Sequence, residues 1–297
     1  MPSSAPPIVG DQPLSLAGNP AAKPRSLILD LFGEYLRFGE ADVWLGQLTQ
    51  LLGDFGVAPP TVRMTLTRLR REGWFTTERS GRETRYRLTA PMLNVLEEGR
   101  QRIFGTPSTE WSQEWTMVIY QLSEGERQER EQLRKRLAYQ GFGILGTSTW
   151  LAAGDRRAVA RELTRDLDVG QVEVLRCQSD GLDHDRALAR RCWDLDALAD
   201  EYREFVQQYR RLAGKVGDLK GPQALVTRTL LVSRYRHFPF KDPRLPPPLR
   251  PDPWPGVEAH ELFSSMHAGL GLAAREYVTD VIGREVLDTG TAELSPS

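Results

Sequence analysis

Between residues 25 and 38 the apolar positions Leu27, Ile28, Leu31, Phe32, Tyr35 and Leu36 return at steps of three and four, which gives a helix one apolar stripe. The spacing predicts a first helix there. Residues 42–56, DVWLGQLTQLLGDFG, repeat the pattern with Leu45, Leu48, Leu51, Leu52 and Phe55 on one face, and Gly56 marks the stop. Ala58, Pro59 and Pro60 read as turn material. A third helix is expected within residues 61–74, TVRMTLTRLRREGW, ended by Gly73. Its apolar stripe is narrow, made of Val62, Leu66 and Leu69 with Thr65 between them. At about 100° per residue, Met64, Thr67 and Arg71 point away from that stripe, with Arg63 and Arg68 on its flanks. The stretch that follows, WFTTERSGRETRYRLT, reads as two strands around a Ser80-Gly81 turn. Two helices, a short turn, a third helix with a basic outer face and a basic hairpin describe a winged helix-turn-helix.

The middle of the chain alternates strand and helix. EWTMVIYQL (114–122) is a compact apolar strand, and a charged helix over 126–140 would pack Leu133 and Leu137 on it. A second strand is expected at 142–151, a helix at 156–167 and a strand at QVEVLRC (171–177). That order suggests a small ferredoxin-like α+β domain. Further on, Leu195, Leu198, Tyr202, Phe205, Tyr209 and Leu212 mark one face of a long helix over 194–215, and residues 222–238 form another with an apolar centre at Leu225, Leu230, Leu231 and Val232. Residues 239–255 then hold eight prolines in 17 positions, a density that argues against helix and central strand and would hold Trp254 against the domain. A last helical region covers about 257–282. The chain is therefore read as α+β: a tail (1–23), a winged helix-turn-helix (24–105), a ferredoxin-like domain (110–180), a mostly helical carboxy-terminal domain (190–285) and a second tail (286–297).

Composition sharpens this picture in two places. The first 23 residues are rich in Pro, Ser, Ala and Gly without a basic start or an apolar run, so they read as a disordered tail and not a signal peptide. The longest uncharged run, 18 residues at 137–154, contains four glycines and is a poor membrane span. Cys177 and Cys192 are the only cysteines, too few for a disulfide scaffold, and a cytoplasmic location is expected. The formal net charge is −1, yet residues 61–87 carry eight arginines against three glutamates, a local +5 that leaves −6 for the rest. A polyanion would be drawn to one face only. On that face Thr61, Arg63, Met64, Thr67, Arg68 and Arg71 would enter the major groove, where arginine bonds guanine and Thr or Met touches a thymine methyl. Arg79, Arg82 and Arg85 of the hairpin would hold phosphates.

Other chemistry is not evident. GFGILG (141–146) satisfies G-x-G-x-x-G, but it follows a helix and opens a strand, the reverse of a dinucleotide loop. His260 and His267 stand seven apart, so HELFSSMH is not a zinc motif, and His184 is expected in a polar loop, SDGLDHD. No catalytic residue, metal site or cofactor is expected.

Several stretches together are similar to one family. PRSLILDLFGEYLR, VRMTLTRLRREGWF, RSGRETRYRLT and GRQRIF resemble the amino-terminal domain of the PaaX family, bacterial repressors of phenylacetate catabolism. The resemblance continues through EWTMVIYQLSEGERQEREQLRKRLAYQGFGILGTSTWLA and LLVSRYRHFPFKDPRLPPPLRPDPWPG, over roughly residues 24–285. It implies a Cas2-like middle domain and release from DNA by phenylacetyl-CoA or a related aryl-CoA thioester. Such a ligand wants arginines near an apolar slot, and Arg234, Tyr235, Arg236, His237 and Lys241 are the suitable cluster. The expected partners are an inverted-repeat operator, the effector and a second copy in a homodimer, with no membrane. Two other classes stay open: an interaction or assembly module without sequence-specific DNA binding, and a hydrolase of CoA esters.

Overall fold

The computed structural model describes residues 8–9, 12–13, 23–37, 41–105, 110–121, 127–165 and 171–287. The tails read at 1–23 and 286–297 fall mostly outside them. In the first, β1 (Ile8–Val9) pairs antiparallel with β2 (Gln12–Pro13), and in the second Val286 is buried. Packing gathers the chain into two compact units, one made of residues 1–104, 204–236 and 257–297, the other of 105–203 and 237–256.

In the first unit, α1 (Pro24–Leu31) continues into a single π turn, Phe32–Leu36, where the Arg37 amide donates to the Phe32 carbonyl at 2.9 Å. The expected apolar stripe is buried throughout, and the wider turn brings Glu34 inside with it. The second apolar run divides: Asp42–Trp44 is a strand, β3, and only Leu45–Gly53 is helix, α2. The third helix, α3, is Pro59–Arg71, so the two prolines open the helix and do not precede it. Proline suits a first turn, whose N–H groups have no partner in the helix. The hairpin strands are β4 (Phe75–Ser80) and β5 (Glu83–Leu88), and Ser80 faces Glu83. The turn is therefore Gly81-Arg82, one residue later than the sequence suggests. Gly81 has φ +59°, the requirement of a II′ turn at its first central residue only. The sheet runs β3-β5-β4, and α4 (Ala90–Phe104) follows it.

Two helices from the far end of the chain complete this core. From α9 (Gly221–Tyr235) come Ala224, Leu225, Val226 and Leu230, and from α11 (Pro255–Ile282) come Leu270, Ala274, Val278 and Ile282. They join the same cluster as Leu27, Leu48, Val62, Leu66, Phe75 and Leu88. At its centre Arg228, only 2% exposed, lies 2.9 Å from Glu34, and its Nε donates to the His267 carbonyl. His267 Nε2 stands 2.7 Å from the same Glu34 oxygen. Burial alone would push the Glu34 carboxyl up, but Arg228, with His267 and Arg37, outweighs it and brings it to about 2. Asp30, one turn earlier, goes the other way: burial raises it to about 6 against the pull of Arg236 at 3.0 Å and of Ser233.

The second unit runs β6 (Trp115–Tyr120), α5 (Arg127–Tyr139), β7 (Gly143–Gly146), β8 (Thr149–Ala153), α6 (Arg157–Arg165) and β9 (Val172–Cys177). Residues 142–151, expected as one strand, supply a hairpin, which gives four strands in the antiparallel order β7-β8-β6-β9. Val118, Tyr120, Trp150 and Ala152 meet Leu133, Leu137 and Ala160 from the two helices, the ferredoxin-like arrangement. GFGILG is a helix stop and a strand: Gly141 has φ +82°, and a Cβ on Gly143 would lie 2.5 Å from the Trp193 ring. His184 is in α7 (Leu182–Cys192), not in a loop, because the helix starts at Leu182. On that helix buried Asp185 accepts hydrogen bonds from Trp115 Nε1 (2.6 Å), Trp111 Nε1 (3.2 Å) and Ser179 Oγ (2.6 Å). The next helix, α8 (Leu195–Ala213), gives its residues up to Arg203 to this unit and the rest to the first. The proline-rich crossing does contain helix, the single turn α10 (Phe238–Lys241), with Pro239 in its first turn where no N–H is needed. Trp254 is buried and meets Tyr202 edge-on at 5.8 Å.

Two outcomes follow for the first unit. Arg228→Met leaves Glu34 buried without its main cation and should cost about 3–5 kcal/mol, read as a lower urea midpoint, while Glu34→Leu combined with Arg228→Met should recover most of that loss. Glu34 is depressed by folding, so its contribution is present above its ordinary pKa of 4.5 and lost as pH falls toward about 2. Glu34→Gln should therefore flatten the acid limb of stability against pH between those values. An unchanged acid limb would contradict this account.

Candidate nucleic-acid interface

Helix α3 buries Val62, Leu66 and Leu69 completely and Thr65 almost so, which fixes what its other face presents. Arg63, Met64, Arg68, Arg70 and Arg71 are exposed, Met64 to 69%, and Thr61 and Thr67 are half-buried. A methionine that open on a helix has no packing role. The Thr67 hydroxyl donates to the Arg63 carbonyl at 2.8 Å and is therefore turned back onto its own helix. Arg63 and Arg70 are two turns apart and share a side of the helix. Arg70 was not among the residues singled out from the sequence, although the same charge run contains it. Its charge reaches buried Tyr86 on β5, whose hydroxyl is raised by burial and drawn back by Arg70. Arg68, Arg70 and Arg71 also occupy the last turn of α3, where the helix dipole favours cations.

The arginines differ in whether a carboxylate holds them. Arg68 lies 3.8 Å from Glu72, itself taken by Arg25 at 2.6 Å, and the Arg25 guanidinium covers the Trp74 ring at 4.1 Å. These contacts brace the end of α3 against α1. Arg63, Arg70, Arg71, Arg79 and Arg82 have no carboxylate partner among the described residues, and Arg79 and Arg82 flank the exposed tip of the hairpin. The electrostatic result is one outer face of α3 and one wing tip with uncompensated charge.

Arg85 differs from the other wing residues. It is half-buried, 3.0 Å from the Asp42 carboxylate, and lies over the Trp44 ring. Asp42, only 1% exposed, also holds Arg87 at 3.1 Å and Arg284 at 2.8 Å. Sequence spacing missed this group because Arg284 lies far along the chain.

The residues singled out around 234–241 are divided between the two units. In the first, Arg234 is 3.7 Å from Glu204, and Arg236 pairs with Asp30. Tyr235 stacks on Phe263 at 3.9 Å, and its hydroxyl meets His260 Nδ1 at 3.0 Å. In the second, Lys241 holds both oxygens of Glu201 at 2.8 Å. Burial raises the Cys177 thiol, and it raises Cys192 to about 11 although Arg191 pulls it down, so both are protonated at neutral pH. Among the described residues no group of three or more His, Cys, Asp and Glu could hold a metal, and no helix is long and apolar enough to cross a membrane.

Comparison with known proteins agrees with this architecture. Three family models match in order: PaaX-like protein over residues 23–92, PaaX protein central Cas2-like domain over 108–189, and PaaX-like protein C-terminal domain over 193–280. The chain is 29% identical over 264 residues to the transcriptional repressor PaaX of Escherichia coli (strain K12), an overlap that covers 86% of this chain and 83% of that protein. Its fold is similar to that of the uncharacterized protein Rv0674 from Mycobacterium tuberculosis, with a TM-score of 0.59 at 20% identity over 88% of this chain and 99% of that one. Three successive domain matches and one relative along most of its length place the chain in the PaaX-like family and make it, at the level of that family, a transcriptional repressor and not an enzyme.

Proposed function

We propose that the protein represses transcription by binding an inverted-repeat operator as a cytoplasmic homodimer, with α3 in the major groove and the β4–β5 wing on the backbone, and that an aryl-CoA thioester such as phenylacetyl-CoA releases it. The observation that carries the DNA reading is the unneutralised set of Arg63, Arg70, Arg71, Arg79 and Arg82, beside exposed Met64. Cations left without carboxylates on an otherwise acidic chain favour a polyanion, and a mixed guanidinium and methyl surface is what base edges require. The name of the E. coli relative supports repression. The effector rests on the family resemblance alone, because the charges of Arg236 and Lys241 are already taken up by Asp30 and Glu201.

Selection of bound fragments from random DNA tests the reading. An enriched inverted repeat, bound far more tightly than its scrambled control, is the expected outcome. No enrichment, with equal and salt-steep binding to both, would turn attention to an interaction module. On the selected site, Arg63→Ala or Arg71→Ala should cost about 1–3 kcal/mol and relax the preference at one base pair. Arg82→Ala should weaken specific and scrambled DNA alike and lower the slope of log K against log salt by about one. Saturating phenylacetyl-CoA should reduce operator affinity, and unchanged affinity would remove that ligand from the proposal.

A further inference from the structure

The carboxy-terminal end of α11 touches the amino-terminal module in more ways than core packing requires. Tyr277 donates its hydroxyl to Asp54 at 2.8 Å, just beyond the last turn of α2. Gln47, in the first turn of α2, donates its Nε2 to the Ile282 carbonyl at 2.8 Å. That bond satisfies one of the carbonyls that a helix end leaves open. Arg284 follows Gly283, which has φ +68°, and donates both to the Asp42 carboxylate at 2.8 Å and to the Asp42 backbone carbonyl. Ile282 and Val286 are buried in the shared core on either side of it. Residues 277–284 thus hold α2 at its front, in its first turn and at its end.

What they hold is also what positions the proposed reading surface. Asp42 belongs to β3, which pairs with wing strand β5 through Asp42 opposite Arg87, Val43 opposite Tyr86 and Trp44 opposite Arg85. Its carboxylate is the counter-ion for Arg85 and Arg87 from the wing and for Arg284 from beyond α11. Asp54 stands at the start of the short turn into α3. A shift of the α11 end would therefore move the root of the wing and the entry to α3 together, while no residue of the exposed α3 face takes part.

We infer that Arg284 and Tyr277 are positioning residues for DNA binding, which hold the wing and α3 in one rigid relation without touching DNA themselves. The inference rests on the DNA-binding reading above. A phosphate contact and a positioning contact differ in salt dependence: a lost phosphate contact lowers the salt slope by about one, and a loosened scaffold leaves it unchanged. Positioning effects of this kind change affinity by about three- to thirtyfold.

The test uses the full chain and the operator recovered by selection. Arg284→Gln and Tyr277→Phe should each weaken operator binding by about three- to thirtyfold at an unchanged salt slope. Amide exchange should quicken in residues 42–54 and 75–88 of the free protein and not in 115–177. Asp42→Asn should reproduce the effect, and adding Arg284→Gln to it should bring little further loss. Wild-type operator affinity with unchanged exchange in both variants would overturn the inference, and so would a salt slope reduced by about one in Arg284→Gln, which marks a phosphate ligand. If the wild-type chain selects no DNA, the DNA-binding reading fails, and the exchange measurement still decides whether the clamp holds the wing.

Discussion

A guanidinium and a carboxylate at the centre of a hydrophobic core must be placed against each other, because neither is tolerated there alone. Arg228 and Glu34 meet that condition, and the first unit is organised around it. Glu34 reaches the position through the π turn at the end of α1, Arg228 comes from the middle of α9, and α11 contributes the His267 ring and backbone carbonyl. The pair is not the main source of stability, which is the apolar cluster around it. What it supplies is a single arrangement of three helices, since a slip of one turn in α9 would separate the charges in a low-dielectric interior, and a slip in α11 would withdraw the His267 carbonyl and ring that they meet.

The arginines of the amino-terminal module divide by the same logic into two kinds. Those facing a carboxylate build the shape: Arg25 with Glu72, Arg37 with Glu97, Arg85 and Arg87 with Asp42. Those without one, Arg63, Arg70, Arg71, Arg79 and Arg82, are confined to the outer face of α3 and the tip of the wing. Surface ion pairs contribute little to stability, so the exposed set is not explained by folding. Net charge conceals this division, because the carboxylates that offset the basic stretch at −6 lie outside residues 61–87.

The local part of this design was legible in the sequence. Helical periodicity located α1, α2, α3, α8, α9 and α11, and the basic hairpin was evident from alternation and one glycine. Boundaries failed where a local signal competed with a partner elsewhere. Asp42–Trp44 continues the apolar run of α2 but becomes a strand because β5 offers an edge and two arginines for the Asp42 carboxylate. Pro59 and Pro60 look like a turn and start a helix. Residues 142–151 look like one strand because apolar and β-branched positions continue on both sides of Thr147 and Ser148, which turn the chain, and Gly146 beside them is the one local turn signal. Of the candidate site, the exposure of the arginines on α3 and at the wing tip followed from local pattern, whereas the pairing of Arg85 did not, because its counter-ion lies 43 positions away at Asp42.

The most consequential feature was invisible to any window of sequence. Three family models succeed one another along the chain, yet the core beneath α3 is shared by residues matched by the first model and residues matched by the last. Contacts across so many residues carry a high loop-closure cost, and they form only when the intervening chain allows it. The module that would read DNA is therefore not energetically separate from α9 and α11. Linkage then bounds any control of the repressor: a ligand changes DNA affinity only by as much as it prefers one arrangement of that shared core over another. A core fixed by a buried ion pair resists graded deformation, because partial separation of Arg228 from Glu34 exposes both charges to an apolar surrounding before water can reach them. On the proposed reading, release from DNA would accordingly proceed by a shift between discrete packings of the whole unit rather than by gradual loosening of α3.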